Sequence, residues 1–219
     1  MVDVLLKSFL DKIQEELKKK EKIRLEVQAD MRRAIRLSKK AILFVHQERF
    51  DDAGIILKEV DELFDKLRGF SKDHPDLVYF GLVETAFQEF TEANILIELV
   101  RKGQFISPEK LGVPVVSYVL GLADVIGELR RRALDSLRRG DIETAVDSLQ
   151  KMEQIYIELT AMVDAYLLVP GLRRKCDIAR RIIETTRGDV TIETRRNSLE
   201  CSIKSLEKIL REKGGGTYV

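Results

Sequence analysis

The amino-acid sequence predicts an all-α protein, folded as a single-domain bundle of about seven helices, several of them long. Apolar residues recur at spacings of three and four almost without interruption along the chain. No stretch shows the sustained alternation of apolar and polar residues that is typical of a strand. All prolines lie where a helix should start or stop: Pro75, Pro108, Pro114 and Pro170.

The breaks in this pattern give the order of the elements. The predicted helices cover residues 3–48, 51–70, 76–102, 114–139 and 141–168, then a sixth that follows LVPG and ends at Gly188, and a seventh at 190–212. Ser107 should cap a short turn that Pro108 opens and Gly112 closes, and Asp141 should cap the fifth helix. Short loops favour antiparallel neighbours.

No linker rich in proline, glycine or serine divides the chain, so residues 1–213 are predicted to form one domain, followed by a flexible tail at 214–219. With 44% hydrophobic and 34% charged residues, the composition is typical of a soluble globular protein. The apolar runs are far shorter than the roughly 18 residues of a membrane span, and the charged N-terminus does not resemble a signal peptide. We therefore expect a cytoplasmic protein with no membrane partner.

A formal net charge of +1 means that the field of the whole molecule selects no partner. Two cysteines and two histidines, without metal-ligand spacing, make a zinc site implausible. There is also no glycine-rich phosphate loop and no nucleophile elbow. The chemistry of the chain must therefore reside in its carboxylates and its basic residues.

Two carboxylates lie on an otherwise apolar side of the third predicted helix. Glu89 falls in the middle of the stripe formed by Leu82, Ala86, Ala93, Leu96 and Val100, and Glu92 lies along its edge. A buried ionised carboxylate without a partner costs several kcal/mol. The sequence shows no evident partner for Glu89.

The fourth predicted helix carries a second acidic pair. Asp124 and Glu128 stack on a narrow stripe that begins with two small residues, Ser117 and Gly121, where another backbone could approach closely. If the third and fourth helices pack antiparallel, Glu89, Glu92, Asp124 and Glu128 can converge, and oxygen-only ligands favour a hard ion such as Mg²⁺, Mn²⁺ or Ca²⁺. The alternative is that these are surface or salt-bridged acids, with Arg131 paired to Asp124 or Glu128.

Basic residues form several short clusters. Arg36, Lys39 and Lys40 share one face of the first helix, and Arg195 and Arg196 lie on the last. Such stripes can follow a phosphate backbone. Taken alone, each cluster favours a solvated or ion-paired face, because acidic residues are interleaved throughout.

The sequence is similar to the translin family, which comprises translin and its partner Trax, over roughly residues 20–210. The resemblance rests on these segments: RLSKKAILFVH, FQEFTEA, SYVLGLADVIGELRRRALDSLRRGDIETA and RRNSLECSIKSLEKIL. It is closer to Trax, because translin-type chains lack the first acidic pair. The chain lacks a long insertion after the third helix and a basic nuclear-targeting run, as a stand-alone prokaryotic relative would.

The resemblance implies a Mg²⁺-dependent endoribonuclease, with Mn²⁺ as the alternative ion, which acts on single-stranded RNA within a hollow homo-oligomer, an octamer. Single-stranded DNA is the alternative nucleic-acid partner. It places the catalytic and metal-binding roles on Glu89, Glu92, Asp124 and Glu128. The residues expected to guide the nucleic acid are Arg36, Lys39, Lys40, Arg131, Arg195 and Arg196. Two other hypotheses remain open: a non-catalytic translin-like binding oligomer, and a purely structural scaffold.

Overall fold

The computed structural model describes residues 2–73, 81–162 and 164–214. In this part of the chain all regular structure is helical, which confirms the predicted all-α class. The helices are α1 Val2–His46, α2 Phe50–Asp73, α3 Gly81–Lys102, α4 Pro108–Leu111, α5 Val115–Arg138, α6 Ile142–Ala161, α7 Ala165–Leu168 and α8 Leu172–Gly214. The predicted start of the third helix at 76 lies outside the described residues, and so does the predicted tail beyond Gly214.

Two predicted helix starts are confirmed in atomic detail. The Ser107 side chain accepts a hydrogen bond from the Lys110 backbone N–H, with Pro108 in the first turn of α4. The Asp141 carboxylate accepts a hydrogen bond of 3.0 Å from the Thr144 backbone N–H at the start of α6. Each cap satisfies a backbone donor that has no partner within the helix.

Two predicted helix ends are wrong. The fifth predicted helix stops at Ala161 instead of 168. The next helix, α7, has no buried residue, so packing does not stabilise a longer helix there. Gly188 does not end a helix, because α8 continues through it from Leu172 to Gly214. A glycine inside a helix costs only about 1 kcal/mol relative to alanine, and buried residues on both sides of Gly188 offset that cost.

The described helices fall into two compact units, Met1–Val125 and Ile126–Val219. In the first unit, α1 packs against both α2 and α3. The Phe64 ring stacks on Phe87 with centroids 4.1 Å apart and meets the edge of Phe90 at 5.2 Å. Aromatic pairs of this geometry stabilise a core beyond the area that they bury. They fix the rotation of α3, which carries the first acidic pair.

In the second unit, α6 packs against the first half of α8. The fully buried side chains there include Met152, Ile155, Leu159 and Leu172. Arg187 on α8 donates two hydrogen bonds to the Glu153 carboxylate on α6, at 2.7 and 2.9 Å.

The prediction that residues 1–213 form one domain stays a prediction. No helix in the described ranges has both the length and the apolar character needed to cross a membrane.

Candidate functional site

Helix α3 is buried over more of its circumference than one apolar stripe would require. The apolar aromatic side packs on α2, and Thr91, which is fully buried, faces α5. As a result Glu92, expected at the edge of the buried surface, is the deeper of the two acids: it is only 9% exposed. Glu89, expected at the centre, keeps a side-chain exposure of 16%.

Helices α3 and α5 approach each other closely at Gly121. A Cβ atom built on this glycine would lie 2.7 Å from the Gln88 carbonyl oxygen and 2.8 Å from the Thr91 Cβ. The short side chain at 121 therefore lets the two backbones touch, as the sequence indicated. One turn along α5, the Gln88 side-chain amide donates a hydrogen bond to the Asp124 carboxylate.

Glu89 has a partner that the sequence did not reveal. The Lys39 Nζ atom of α1 lies 3.1 Å from the Glu89 Oε1 atom. The expectation that the chain offers nothing to neutralise Glu89 is therefore wrong. The reason is tertiary: α1 packs along α3, and this brings a lysine assigned to the nucleic-acid face against the carboxylate.

Glu128 belongs to the second unit, where its Oε2 atom lies 3.9 Å from the Arg131 guanidinium. This distance is at the outer limit of an ion pair, and Arg131 is half exposed, so the contact is weak. It matches the alternative in which Arg131 pairs with an acid of its own helix. Whether Glu128 joins the acids of the first unit stays a prediction.

The candidate residues fit a hard divalent cation in donor type, because Glu89, Glu92 and Asp124 offer only carboxylate oxygens. In the described ranges, however, no group of three or more acidic, histidine or cysteine side chains is close enough to hold an ion. The Lys39 ammonium and the Gln88 amide occupy the Glu89 and Asp124 carboxylates. A metal would therefore have to compete with these two contacts.

The side chains predicted to guide nucleic acid are all exposed: Arg36, Lys39, Lys40, Arg131, Arg195 and Arg196. Several already have local contacts. The Lys40 ammonium lies 5.5 Å from the centre of the Phe44 ring, and Arg196 donates a 2.6 Å hydrogen bond to Glu193. The first three lie in the first unit and the others in the second. Exposure leaves them accessible to a phosphate backbone.

The sequence reasoning missed Gln88, which links α3 to Asp124. A usable signal was its spacing of three from Thr91 and of four from Glu92, because residues at these spacings share one face of a helix. The Lys39–Glu89 contact had no comparable signal. It depends on how far α1 is shifted along α3, and periodicity alone does not give that register.

The Translin family model matches residues 6–186, and the chain belongs to the translin family. The uncharacterised protein MJ0175 of Methanocaldococcus jannaschii is 32% identical over 151 residues, which cover 68% of each chain. Translin-associated protein X of Pongo abelii is 43% identical over 47 residues, or 22% of this chain and 16% of that protein.

Solved structures resemble the chain over most of its length. AfC3PO, in a complex with duplex RNA, is 32% identical with a TM-score of 0.77, covering 85% of this chain and 97% of the other. The structure of apo-NeC3PO is 28% identical with a TM-score of 0.76, covering 84% and 96%. These likenesses confirm the predicted translin-like fold.

Proposed function

We propose that this chain is an RNA-binding homo-oligomer of the Trax type that cleaves phosphodiester bonds of single-stranded RNA with the help of Mg²⁺ or Mn²⁺. The observation that carries the proposal is the close approach of α3 and α5 at Gly121, because these two helices carry the carboxylates Glu89, Glu92 and Asp124. Burying acids at the contact of two helices costs stability, and a functional site is one reason for a protein to bear that cost.

The binding part of the proposal has the broader support. A structural relative, AfC3PO, has been seen in a complex with duplex RNA. The exposed arginines and lysines of α1 and α8 are suited to neutralising phosphates. The likeness to Translin-associated protein X, although short, supports the assignment to the Trax branch. Because that relative's RNA is a duplex, single-stranded and duplex RNA both belong in the test.

The oligomeric part is supported by apolar surface that the described chain leaves exposed. Leu6, Leu10, Ile13 and Leu17 form one stripe near the start of α1, with exposures between 52 and 60%. A second stripe, near the end of α8, consists of Leu199, Ile203, Leu206 and Leu210. Contiguous exposed apolar faces favour association. We propose that other copies of the chain cover them in a hollow assembly, an octamer.

In this proposal Glu89, Glu92 and Asp124 would hold the ion, and Glu128 would either ligate it or orient the attacking water. When bound, a divalent ion would supply charge stabilisation at the phosphate and lower the pKa of a coordinated water. The deep burial of Glu92 limits its rotamers, and Gln88 orients the Asp124 carboxylate. Arg131 steadies Glu128 or contacts a phosphate.

A non-catalytic binding oligomer is the second candidate. The observation that favours it is that two of the acids lie beside basic side chains: Glu89 beside Lys39, and Glu128 beside Arg131. In that case the acids would be structural, and the protein would bind RNA in a salt-sensitive way without turnover.

One experiment separates the two candidates. An unstructured labelled RNA, alone and annealed to its complement, is incubated with the protein in Mg²⁺ or in EDTA. We expect Mg²⁺-dependent cleavage of the single strand. Glu89→Gln and Asp124→Asn should each reduce the rate by at least about 100-fold, because even changes to groups behind the ligands cost 10–100-fold. RNA binding should persist in both variants.

The matched control is Glu98→Gln. Glu98 lies on the same helix but pairs with Lys102 at 2.9 Å, away from Gly121. This variant should cleave at the wild-type rate, and all variants should keep the wild-type molecular mass in light scattering. Cleavage that survives Glu89→Gln and Asp124→Asn would remove the nuclease proposal. Binding without any turnover would favour the second candidate.

A further inference from the structure

The contact between Lys39 and Glu89 is asymmetric. The Glu89 side chain is only 16% exposed and is held in the wall of the helix bundle, whereas the Lys39 side chain is 62% exposed and reaches it from the solvent side. The carboxylate is therefore the enclosed member of the pair, and the ammonium is the member that water reaches. Withdrawing Lys39 into water costs little, because an exposed lysine is well solvated and regains rotamer freedom.

The other acid of the α3–α5 contact is held differently. Asp124 accepts a hydrogen bond from a neutral amide, that of Gln88. An amide can turn its carbonyl oxygen toward a cation, whereas an ammonium has only donors and carries a positive charge. Of these two contacts, only the one made by Lys39 places a positive charge where a divalent cation would bind. Like charges that share one carboxylate repel strongly in a partly buried site.

We propose that Lys39 is the exchangeable counter-ion of Glu89, and that it regulates the site by occupying this carboxylate until a divalent cation displaces it. The inference rests on the proposed function, since it takes Glu89 as a metal ligand. Lys39 is then a regulatory residue: it raises the concentration of free divalent cation that is needed for an ion to bind at Glu89. Without a divalent cation the ion pair keeps Glu89 neutralised, so the fold does not depend on the metal.

The test measures Mn²⁺ binding directly, without RNA, by calorimetry or by the paramagnetic resonance signal of free Mn²⁺. Lys39→Met removes the competing charge and should tighten Mn²⁺ binding by at least about two- to five-fold, the range for exposed ion pairs, because one partner here is exposed and the other is not. Lys39→Arg keeps the charge and should stay near the wild-type affinity. Adding Glu89→Gln to Lys39→Met should abolish the gain.

Lys40→Met is the matched control. Lys40 is the next residue of α1, but its ammonium lies over the Phe44 ring and not on Glu89. Its replacement should leave Mn²⁺ affinity unchanged. Because salt screens the solvent-exposed Lys39 ammonium, the ratio between wild type and Lys39→Met should also shrink as the KCl concentration rises.

A purely structural role for the pair predicts a different result: Lys39→Met would lower the melting temperature and leave Mn²⁺ affinity unchanged or weaker. That outcome would overturn the inference while the proposed function survived. If neither the wild type nor Lys39→Met binds Mn²⁺ through Glu89, the inference and the metal-dependent function fail together.

Discussion

The two halves of α8 show the same apolar periodicity and have different environments. In the first half, residues at spacings of four and three are buried: Leu172, Cys176, Ala179, Ile183, Thr186 and Val190. In the second half the pattern continues with Leu199, Ile203, Leu206 and Leu210, and all four are exposed. Helix α1 shows the reverse order, with its exposed stripe first and its buried residues from Val27 onward. Periodicity therefore predicts a helix and its apolar face, but not what covers that face.

The largest expected effect is a difference in the free energy of unfolding between substitutions in the two halves of α8. Ile183→Ala, in the packed half, should lower the free energy of unfolding by about 2–5 kcal/mol, because a buried isoleucine leaves a cavity. Ile203→Ala, in the exposed half, should change it by less than about 0.5 kcal/mol in dilute solution. Urea titrations of both variants measure the difference.

The same pair of variants also tests whether other copies cover the exposed half. If a homo-oligomer buries Ile203, the cost of Ile203→Ala should grow as protein concentration rises, because association stabilises the folded state by mass action. An equal cost for both variants at every concentration would contradict the distinction between the two halves.

The next largest effect is the change in stability on replacing Gly121 of α5 by alanine, compared with the same change at Gly127. Gly121 lies against α3, and an added Cβ would meet backbone and side-chain atoms below 3.0 Å. Gly121→Ala should therefore destabilise the protein by about 1–3 kcal/mol, as overpacking does. It should also disturb the position of Asp124 beside Gln88, so the proposed binding of Mn²⁺ should weaken as well.

Gly127→Ala is its control, because the added Cβ meets nothing within 4 Å. Alanine is the better helix former, so this variant should stabilise by about 0.5–1 kcal/mol. Thermal unfolding followed by circular dichroism measures both changes. A Gly121→Ala protein as stable as Gly127→Ala would mean that α3 and α5 do not approach at this point.

Features that depend on local chemistry could be predicted from the sequence. The caps at Ser107 and Asp141 are short-range hydrogen bonds, and the residues that make them lie within one helical turn of each other. The close approach at Gly121 was also foreseeable, because only a small residue on an otherwise substituted face allows it. The all-α class follows from the same local periodicity.

Features that depend on tertiary register could not be predicted in this way. The relative burial of Glu89 and Glu92 reflects how α1, α2 and α5 surround α3, and the helical wheel of α3 alone does not contain that information. The Lys39–Glu89 pair joins residues on two different helices. Gly188 was misjudged because a glycine signals a helix end only when packing fails to hold the helix together.

The smallest expected effect lies at Gly188, where the packed half of α8 gives way to the exposed half. Its backbone is helical and an added Cβ meets nothing within 4 Å, so Gly188→Ala should stabilise α8 by about 0.5–1 kcal/mol. Gly171→Ala is the matched control, since that site is equally open but has a φ of +91° and should lose about 1–2 kcal/mol. Urea unfolding of the two variants measures their free energies of unfolding. Because both sites are open, the difference between them reports the effect of the backbone conformation alone. If Gly188→Ala destabilised the protein instead, Gly188 would not be in a helical conformation. The two halves of α8 would then be separate helices and not two parts of one helix in different environments.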